Sequence, residues 1–432
     1  MRIKQVQEKI KFALECSLKE ISKRTPPLEP LPPHKIELEI PKDYKHGDLT
    51  TNIAMRLARS FSSNSVKLAG LLKDVFEGIS KTGALSRIIG RVDVSPPGFI
   101  NFWFSREYLY DILSQACMEK RGFGKNTLGN GMRVNIEFVS ANPTGPLTIA
   151  HGRQAAVGDA LGRILQFSGY RVWKEYFIND VGTQIDLLGM SIHARYLSLC
   201  GIDNEFPADG YHGEYIKDIA LEVRNRHGDR FIGKTPENRQ FFSQLGVRYI
   251  LKTIEEDLRG FGVSFDKWFS QRKISRRQIE NVLGGLRAKG YIYEKEGATW
   301  FKSTAFGDDK DRVVIKTDKA LTYLAPDIAY HLDKYKRGFG RLIDIWGPDH
   351  HGYIPRLVAA VEALGYDKGS ISILIVQLAS LFRNGVALSM STRKGEFVTL
   401  KEVMDEVGCD VAKFFFLMRK LDSHLDFDLE VA

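Results

Sequence analysis

His151, Gly152 and Arg153 follow the string Glu137-Phe-Val-Ser-Ala-Asn-Pro-Thr-Gly-Pro-Leu-Thr-Ile-Ala150. The run Val134-Asn-Ile-Glu-Phe-Val139 is short and rich in β-branched and aromatic residues, and Gly131, Pro143, Gly145 and Pro146 bracket it; that pattern predicts a buried strand entering a tight turn. From His151 to Phe167, Ala155, Ala156, Gly158, Leu161, Gly162 and Leu165 predict a helix packed closely on a sheet, ended at Ser168-Gly169 before a second strand over 172–178. Strand, turn, helix and strand make a βαβ unit, whose ligands gather at strand carboxyl ends. The first turn of its helix offers free N–H groups and the positive end of the dipole, and the His151 imidazole adds a donor. The chemistry this suggests is the handling of phosphate.

The same string resembles the nucleotide-binding signature of class I aminoacyl-tRNA synthetases, in the form used by the arginyl-tRNA synthetase family. The family pattern Ala-Asn-Pro-Thr-Gly-Pro-Leu-His-x-Gly-His stands here as Ala141, Asn142, Pro143, Thr144, Gly145, Pro146, Leu147, Thr148, Ile149, Ala150 and His151, so Thr148 replaces a histidine and Ala150 a glycine. A second stretch, Leu388-Ser-Met-Ser-Thr-Arg-Lys-Gly-Glu-Phe-Val-Thr-Leu400, is similar to the family's signature loop, with Ser389 and Thr392 in place of its two hallmark lysines. Taken alone it reads as an exposed basic turn. A loop that meets a triphosphate needs cations against the charge building on the leaving pyrophosphate, and Arg393 and Lys394 can supply them.

The resemblance carries further assignments. Thr148, His151, Arg393 and Lys394 are the implied catalytic residues, and His151, Gly152, Gly347, Asp349, His350, His351, Met390 and Ser391 the implied ATP contacts. Glu137, Asn142, Tyr323 and Asp327 would hold arginine. The last two lie in Lys319-Ala-Leu-Thr-Tyr-Leu-Ala-Pro-Asp327-Ile-Ala-Tyr330, read as a strand running into a helix that Pro326 helps to start. A carboxylate grips a planar guanidinium through two parallel hydrogen bonds, and an aromatic ring can flank it. Taken alone, Asp327 is an ordinary helix N-terminal charge and Tyr323 a core-edge aromatic. The stretch Arg341-Leu-Ile-Asp-Ile-Trp346 predicts another strand, followed by the turn that carries Gly347 to His351 and by a helix over 356–364. Adjacent histidines diverge by about 100° on a helix, and no Cys-x-x-Cys or His-x-x-x-His lies near them, so no protein-bound metal is expected.

Composition bounds the chain. Its 432 residues are 43% hydrophobic and 27% charged, as in ordinary globular proteins of two to four domains. The net charge of +9 favours an anionic partner such as tRNA, although an excess so thinly spread also suits a plain solvated surface. Cys16, Cys117, Cys200 and Cys409 are scattered, the pattern of reduced cytoplasmic thiols rather than of a disulfide framework. The N-terminus reads as an amphipathic helix rather than a signal peptide, and no run approaches 18 apolar residues. No membrane span and no DNA partner are expected, and the expected state is a monomer.

The fold class expected is α/β: a class I synthetase Rossmann-type parallel sheet split by a connective insertion, preceded by a small α/β domain. The expected organisation is 1–118 for the N-terminal, tRNA-contacting domain, 119–131 for a Gly-rich linker, and 132–385 for the catalytic domain with its insertion about 190–310. Residues 386–432 would form the signature loop and the start of a helical stem-contact region, with the family's anticodon-binding domain absent. Within the first domain, helices are expected over 1–24, 46–58 and 66–79, and strands over 35–40, 88–95 and 98–104. The implied reaction activates L-arginine with Mg²⁺-bound ATP and transfers the arginyl group to tRNA(Arg). Thr148, shorter and neutral, is expected to slow adenylation by an order of 10²-fold, the effect of deleting one transition-state donor. Two alternatives stand: a synthetase-like RNA-binding protein of little or no activity, and a small-molecule nucleotidyltransferase on the same fold.

Overall fold

The computed structural model describes residues 3–28, 36–387 and 398–432, in two compact units, Met1–Lys125 and Asn126–Ala432. The first contains α1 (Ile3–Arg24), β1 (Leu49–Thr51), α2 (Ile53–Leu57), α3 (Ser65–Ser80), α4 (Leu85–Ile88), β2 (Ile89–Ser95), β3 (Phe99–Phe104) and α5 (Arg106–Glu119). Val6, Ile10, Leu14, Leu18 and Ile21 recur at helical spacing along α1 and are buried, as are Leu68, Leu72 and Phe76 of α3. They share a core with the antiparallel sheet β1–β3–β2, in which Phe76 meets Phe102 edge to face at 5.1 Å.

Two expectations fail in this unit. The helix read over 46–58 is really a strand and a short helix, because Thr50 and Thr51 pair with β3 and the Thr50 hydroxyl donates to Asn101 Oδ1 at 2.7 Å; non-local pairing overrides the local period. The strand read over 35–40 reduces, among the described residues, to one bridge between Glu39 and Thr50.

The second unit runs β4 (Arg133–Glu137), α6 (Ile149–Phe167), β5 (Arg171–Ile178), α7 (Thr183–Leu199), α8 (Glu214–His227), α9 (Pro236–Gly260), β6 (Lys267–Ser270), α10 (Arg276–Ala288), β7 (Ile292–Lys295), β8 (Ala298–Phe301) and β9 (Arg312–Ile315). It continues with α11 (Leu324–Lys336), β10 (Arg341–Trp346), α12 (Ile354–Leu364), β11 (Ile371–Ile375), β12 (Ala379–Arg383), β13 (Val386–Ala387), α13 (Leu400–Val407), α14 (Cys409–Leu417) and β14 (Leu425–Asp428). Five parallel strands in the order β11-β10-β4-β5-β6 form the central sheet.

The span read as a single insertion, 190–310, is interrupted. Lys267–Ser270 returns to the sheet as β6, pairing with β5, so a helical excursion (α7 to α9) and a second one (α10 to β9) flank it. Leu188, Ile192, Phe242, Ile250 and Ile254 bury the first of these. In the second, the antiparallel β7-β8-β9 packs with α10 against α11 and α12. No strand precedes α11 where one was read over 319–323; Leu321 makes only a bridge to Ile315. Among the described residues no helix is long and apolar enough to cross a membrane.

Candidate active site

The site begins where β4 ends. Val139 and Ser140 adopt left-handed backbone angles, φ 67° and 39°, which side-chain-bearing residues rarely hold and which a β-branched valine disfavours most. Their surroundings fix them: the Ser140 hydroxyl donates to Glu137 Oε1 at 3.2 Å and accepts from the Phe177 amide at 3.1 Å. Downstream, Tyr176 donates to the Ala141 carbonyl at 2.9 Å and Tyr215 to the Thr144 carbonyl at 2.6 Å. Asn142 is exposed and donates to Gln184 Oε1 at 2.9 Å. The Pro/Gly turn is thus a braced corner, and it delivers Leu147 and Thr148 to the start of α6.

Helix α6 begins at Ile149, two residues earlier than the apolar spacing predicts, because Thr148 caps it. Thr148 and His151 form a reciprocal capping box. The Thr148 amide donates to His151 Nδ1 at 3.1 Å, and the Thr148 hydroxyl lies 3.1 Å from the same nitrogen. Burial pushes the His151 imidazole down to about 4, so it is neutral at physiological pH. Gly152 faces inward, where an added Cβ would come within 2.6 Å of Leu400. Arg153 is wholly buried, its guanidinium donating to the carbonyls of Gln377, Lys420 and Ser423 at 2.8, 2.9 and 3.0 Å. It is therefore a structural clamp and offers nothing to a phosphate.

Beneath this corner lies a rung of acids. Register pairs Asp344 of β10 with Glu137 of β4, and Glu137 with Glu175 of β5. One helix answers all three. Lys334 of α11, fully buried, donates to Glu137 Oε2 at 2.6 Å and Asp344 Oδ1 at 2.9 Å. His331 Nε2 lies 2.9 Å from Asp344 Oδ2. Tyr330 donates to Glu175 at 2.8 Å, and Arg337 grips that carboxylate with two nitrogens at 2.5 and 2.8 Å. Burial works against the Lys334 charge, but Asp344 and Glu137 outweigh it and hold the ammonium above its ordinary range; burial likewise opposes the Asp344 charge, and Lys334 keeps that carboxyl well below its own.

Asp327 lies in the first turn of α11, as read. Tyr353 donates to its Oδ2 at 2.7 Å, while burial pushes its carboxyl up. Tyr323 stands one turn earlier, at the N-terminal boundary of α11, with 78% of its surface exposed. Gly347 ends β10; a Cβ there would sit 2.6 Å from Asp349 and 3.6 Å from the Gln154 amide of α6, which puts the β10 turn against the first turns of α6. Asp349, His350 and His351 occupy a 3₁₀ turn, Pro348–Tyr353, exposed, with His350 pairing to Asp349 at 3.3 Å. Met390, Ser391, Arg393 and Lys394 lie outside the described residues.

The model of the class I (R) tRNA synthetase catalytic domain matches residues 112–414. The chain belongs to the arginyl-tRNA synthetase family. Consistently, the arginyl-tRNA synthetase N-terminal domain model matches residues 7–104. Among relatives, the arginine–tRNA ligase of Bacillus licheniformis is 46% identical over 429 residues, 99% of this chain and 76% of that protein. The arginine–tRNA ligase of Geobacter sp. strain M21 is 48% identical over 92% of this chain and 71% of its own. The arginyl-tRNA synthetase of Thermus thermophilus shares the fold, with a TM-score of 0.68 at 17% identity over 98% of this chain and 77% of that one.

Within this arginyl-tRNA synthetase fold, Lys334, His331, Arg337, Glu175 and Asp344 were not singled out from the sequence. A signal was present: each of three apolar strands carries an acid near its carboxyl end, and Tyr330, Lys334 and Arg337 recur at helical spacing on α11.

Proposed function

We propose that the chain is an arginine–tRNA ligase. The carboxylate of L-arginine attacks the α-phosphorus of Mg²⁺-bound ATP and the bond to pyrophosphate breaks, giving arginyl-adenylate. The 2′-hydroxyl of the terminal adenosine of tRNA(Arg) then takes the arginyl group and AMP leaves. The observation that supports this reading is the placement, at the carboxyl ends of β4 and β10, of a helix N-terminus bearing a neutral histidine and a carboxylate, Asp327, oriented by Tyr353.

In this reading His151 and the α6 N-terminus meet phosphate, with Gly347, Asp349, His350 and His351 on the nucleotide side and Arg393, Lys394, Met390 and Ser391 contributed by the signature loop. Asp327, with Tyr323 and Asn142, receives arginine, and Glu137 acts beneath them through Lys334. In-line transfer at phosphorus needs positioning and charge stabilisation more than covalent help. The N-terminal domain contacts tRNA, and 386–432 joins the signature loop to a stem-contacting region. The enzyme is a cytoplasmic monomer that takes Mg²⁺ with its nucleotide and holds no metal of its own.

Incubation with radiolabelled arginine, ATP and tRNA should yield acid-precipitable arginyl-tRNA, and ATP–pyrophosphate exchange should depend on arginine and not on lysine. Absence of any arginine-dependent exchange with saturating tRNA rejects the proposal.

A further inference from the structure

Thr148 occupies the position where the family signature has a histidine, and its surroundings show what it does there. Its backbone is extended, φ −97° and ψ 172°, the conformation of a helix cap. It is almost fully buried. On one side the segment is stitched to α13: Thr148 and Thr399 form an antiparallel bridge, and the Leu400 amide donates to the Leu147 carbonyl at 2.8 Å. Thr399 in turn caps α13 through its own reciprocal box with Glu402. On the other side Thr148 meets His151 at a single ring atom, Nδ1, through two groups, the amide and the hydroxyl, each 3.1 Å away.

A backbone amide can only donate. Nδ1 is therefore the accepting nitrogen, and a neutral imidazole that accepts at Nδ1 carries its proton on Nε2. The Thr148 hydroxyl can turn its hydrogen to the same lone pair while its oxygen accepts from the His151 amide, so one side chain caps the helix and orients the ring. A histidine at 148 would put an imidazole in that small buried space and lose the hydroxyl.

Resting on the reading that His151 meets phosphate, we propose that Thr148 is a positioning residue which fixes the ring angle and the Nε2–H tautomer of His151. The threonine is then a working part of this site. The donor it sets, at Nε2, is a neutral N–H, the kind that stabilises developing negative charge without first having to lose a proton.

The test uses the full chain, with Thr148→Ser, Thr148→Val and Thr148→Asp variants. Two readouts are taken: the ¹⁵N signals of the His151 ring, assigned by their loss in His151→Asn, and kcat and KM for arginine-dependent ATP–pyrophosphate exchange. The parent should show Nδ1 as acceptor and Nε2 protonated. Thr148→Val, close in volume but without the hydroxyl, should broaden or mix the ring signals and lower kcat about tenfold or more, the usual effect of removing a group that orients a histidine, with KM for arginine little changed. Thr148→Ser should restore both readouts to within about threefold of the parent in kcat. Asp caps helices as well as Thr, but its carboxylate can only accept and would face the accepting Nδ1 lone pair, so Thr148→Asp should turn the ring, shift its signals and lower kcat while α6 remains folded.

An Nε2–H tautomer and kcat both unmoved in Thr148→Val would overturn the proposal, as would a Thr148→Asp protein that keeps the parent's ring signals. A parent without exchange activity would reject the ligase reading alone, because the ring signals still decide the tautomer. If Thr148→Val fails to fold, the Ser and Asp variants carry the same decision.

Discussion

Lys334 and Glu137 form an ion pair of 2.6 Å at a position closed to solvent, between elements 197 residues apart in the chain. The same ammonium reaches Asp344 at 2.9 Å. One cation thus holds two neighbouring strands, β4 and β10, at the ends where the candidate site opens. Removing one partner of a buried pair leaves uncompensated charge, which costs about 3–5 kcal/mol. Lys334→Met should lower the unfolding free energy in guanidinium chloride by that amount, and Lys334→Met/Glu137→Gln should recover part of it. A single variant within about 1 kcal/mol of the parent would mean that the network contributes far less than its geometry implies.

Tyr353 sets Asp327. A hydrogen bond to a charged group contributes about 1.5–3 kcal/mol, so Tyr353→Phe should raise KM for arginine roughly ten- to a hundredfold while KM for ATP stays close to the parent's. Asp327→Asn removes the charge that matches a guanidinium and should lower kcat/KM for arginine by about 10²-fold or more. Equal losses for ATP and arginine would place Asp327 elsewhere than in the amino-acid pocket.

His151 and Asp257 oppose each other as pH falls. The folded His151 takes its proton only near 4, whereas in the unfolded chain it does so near its ordinary 6.5. Between those values the unfolded state binds the extra proton, so this group lowers stability as pH falls from 6.5 to 4, by at most about 3 kcal/mol. Burial raises Asp257 to about 6; its contribution is complete below its ordinary 3.8 and is lost as pH rises through 6. Across pH 4 to 6, stability should therefore rise more steeply with pH for Asp257→Asn than for the parent, whereas for His151→Asn the slope should shift the opposite way, toward stability lost as pH rises.

Glycines of α6 and α10 should respond in opposite directions. A Cβ at Gly158 would lie 2.3 Å from the Phe138 ring, whereas one at Gly284 would meet nothing within 4 Å. Gly158→Ala should cost about 1–3 kcal/mol through overpacking, and Gly284→Ala should add up to about 1 kcal/mol through helix propensity. Paired melting curves measure both.

The βαβ unit was legible because its signals are local: β-branched residues to Glu137, the Pro/Gly turn, and small residues along α6. The α6 boundary moved to Ile149 because the cap lies in a Thr148–His151 interaction that apolar spacing does not register. Residues 46–58 misled because their helical period is real, yet Thr50 and Thr51 are claimed by β3 some fifty residues away. Lys334 was invisible for the same reason: its partners Glu137 and Asp344 meet it only after three strands and a helix assemble. Tyr323, by contrast, was easy to notice and stands in solvent.

Arg153 sets a limit on how this protein can be dissected. Among the described residues no carboxylate pairs with its buried guanidinium; the carbonyls of Gln377, Lys420 and Ser423 accept its hydrogen bonds. Residues 420–423 are thus tied to the second turn of α6, and a minimal fragment cut before them would strand a charge in the core. Any miniature of this domain has to be drawn around that arginine, whatever boundary the strand pattern suggests.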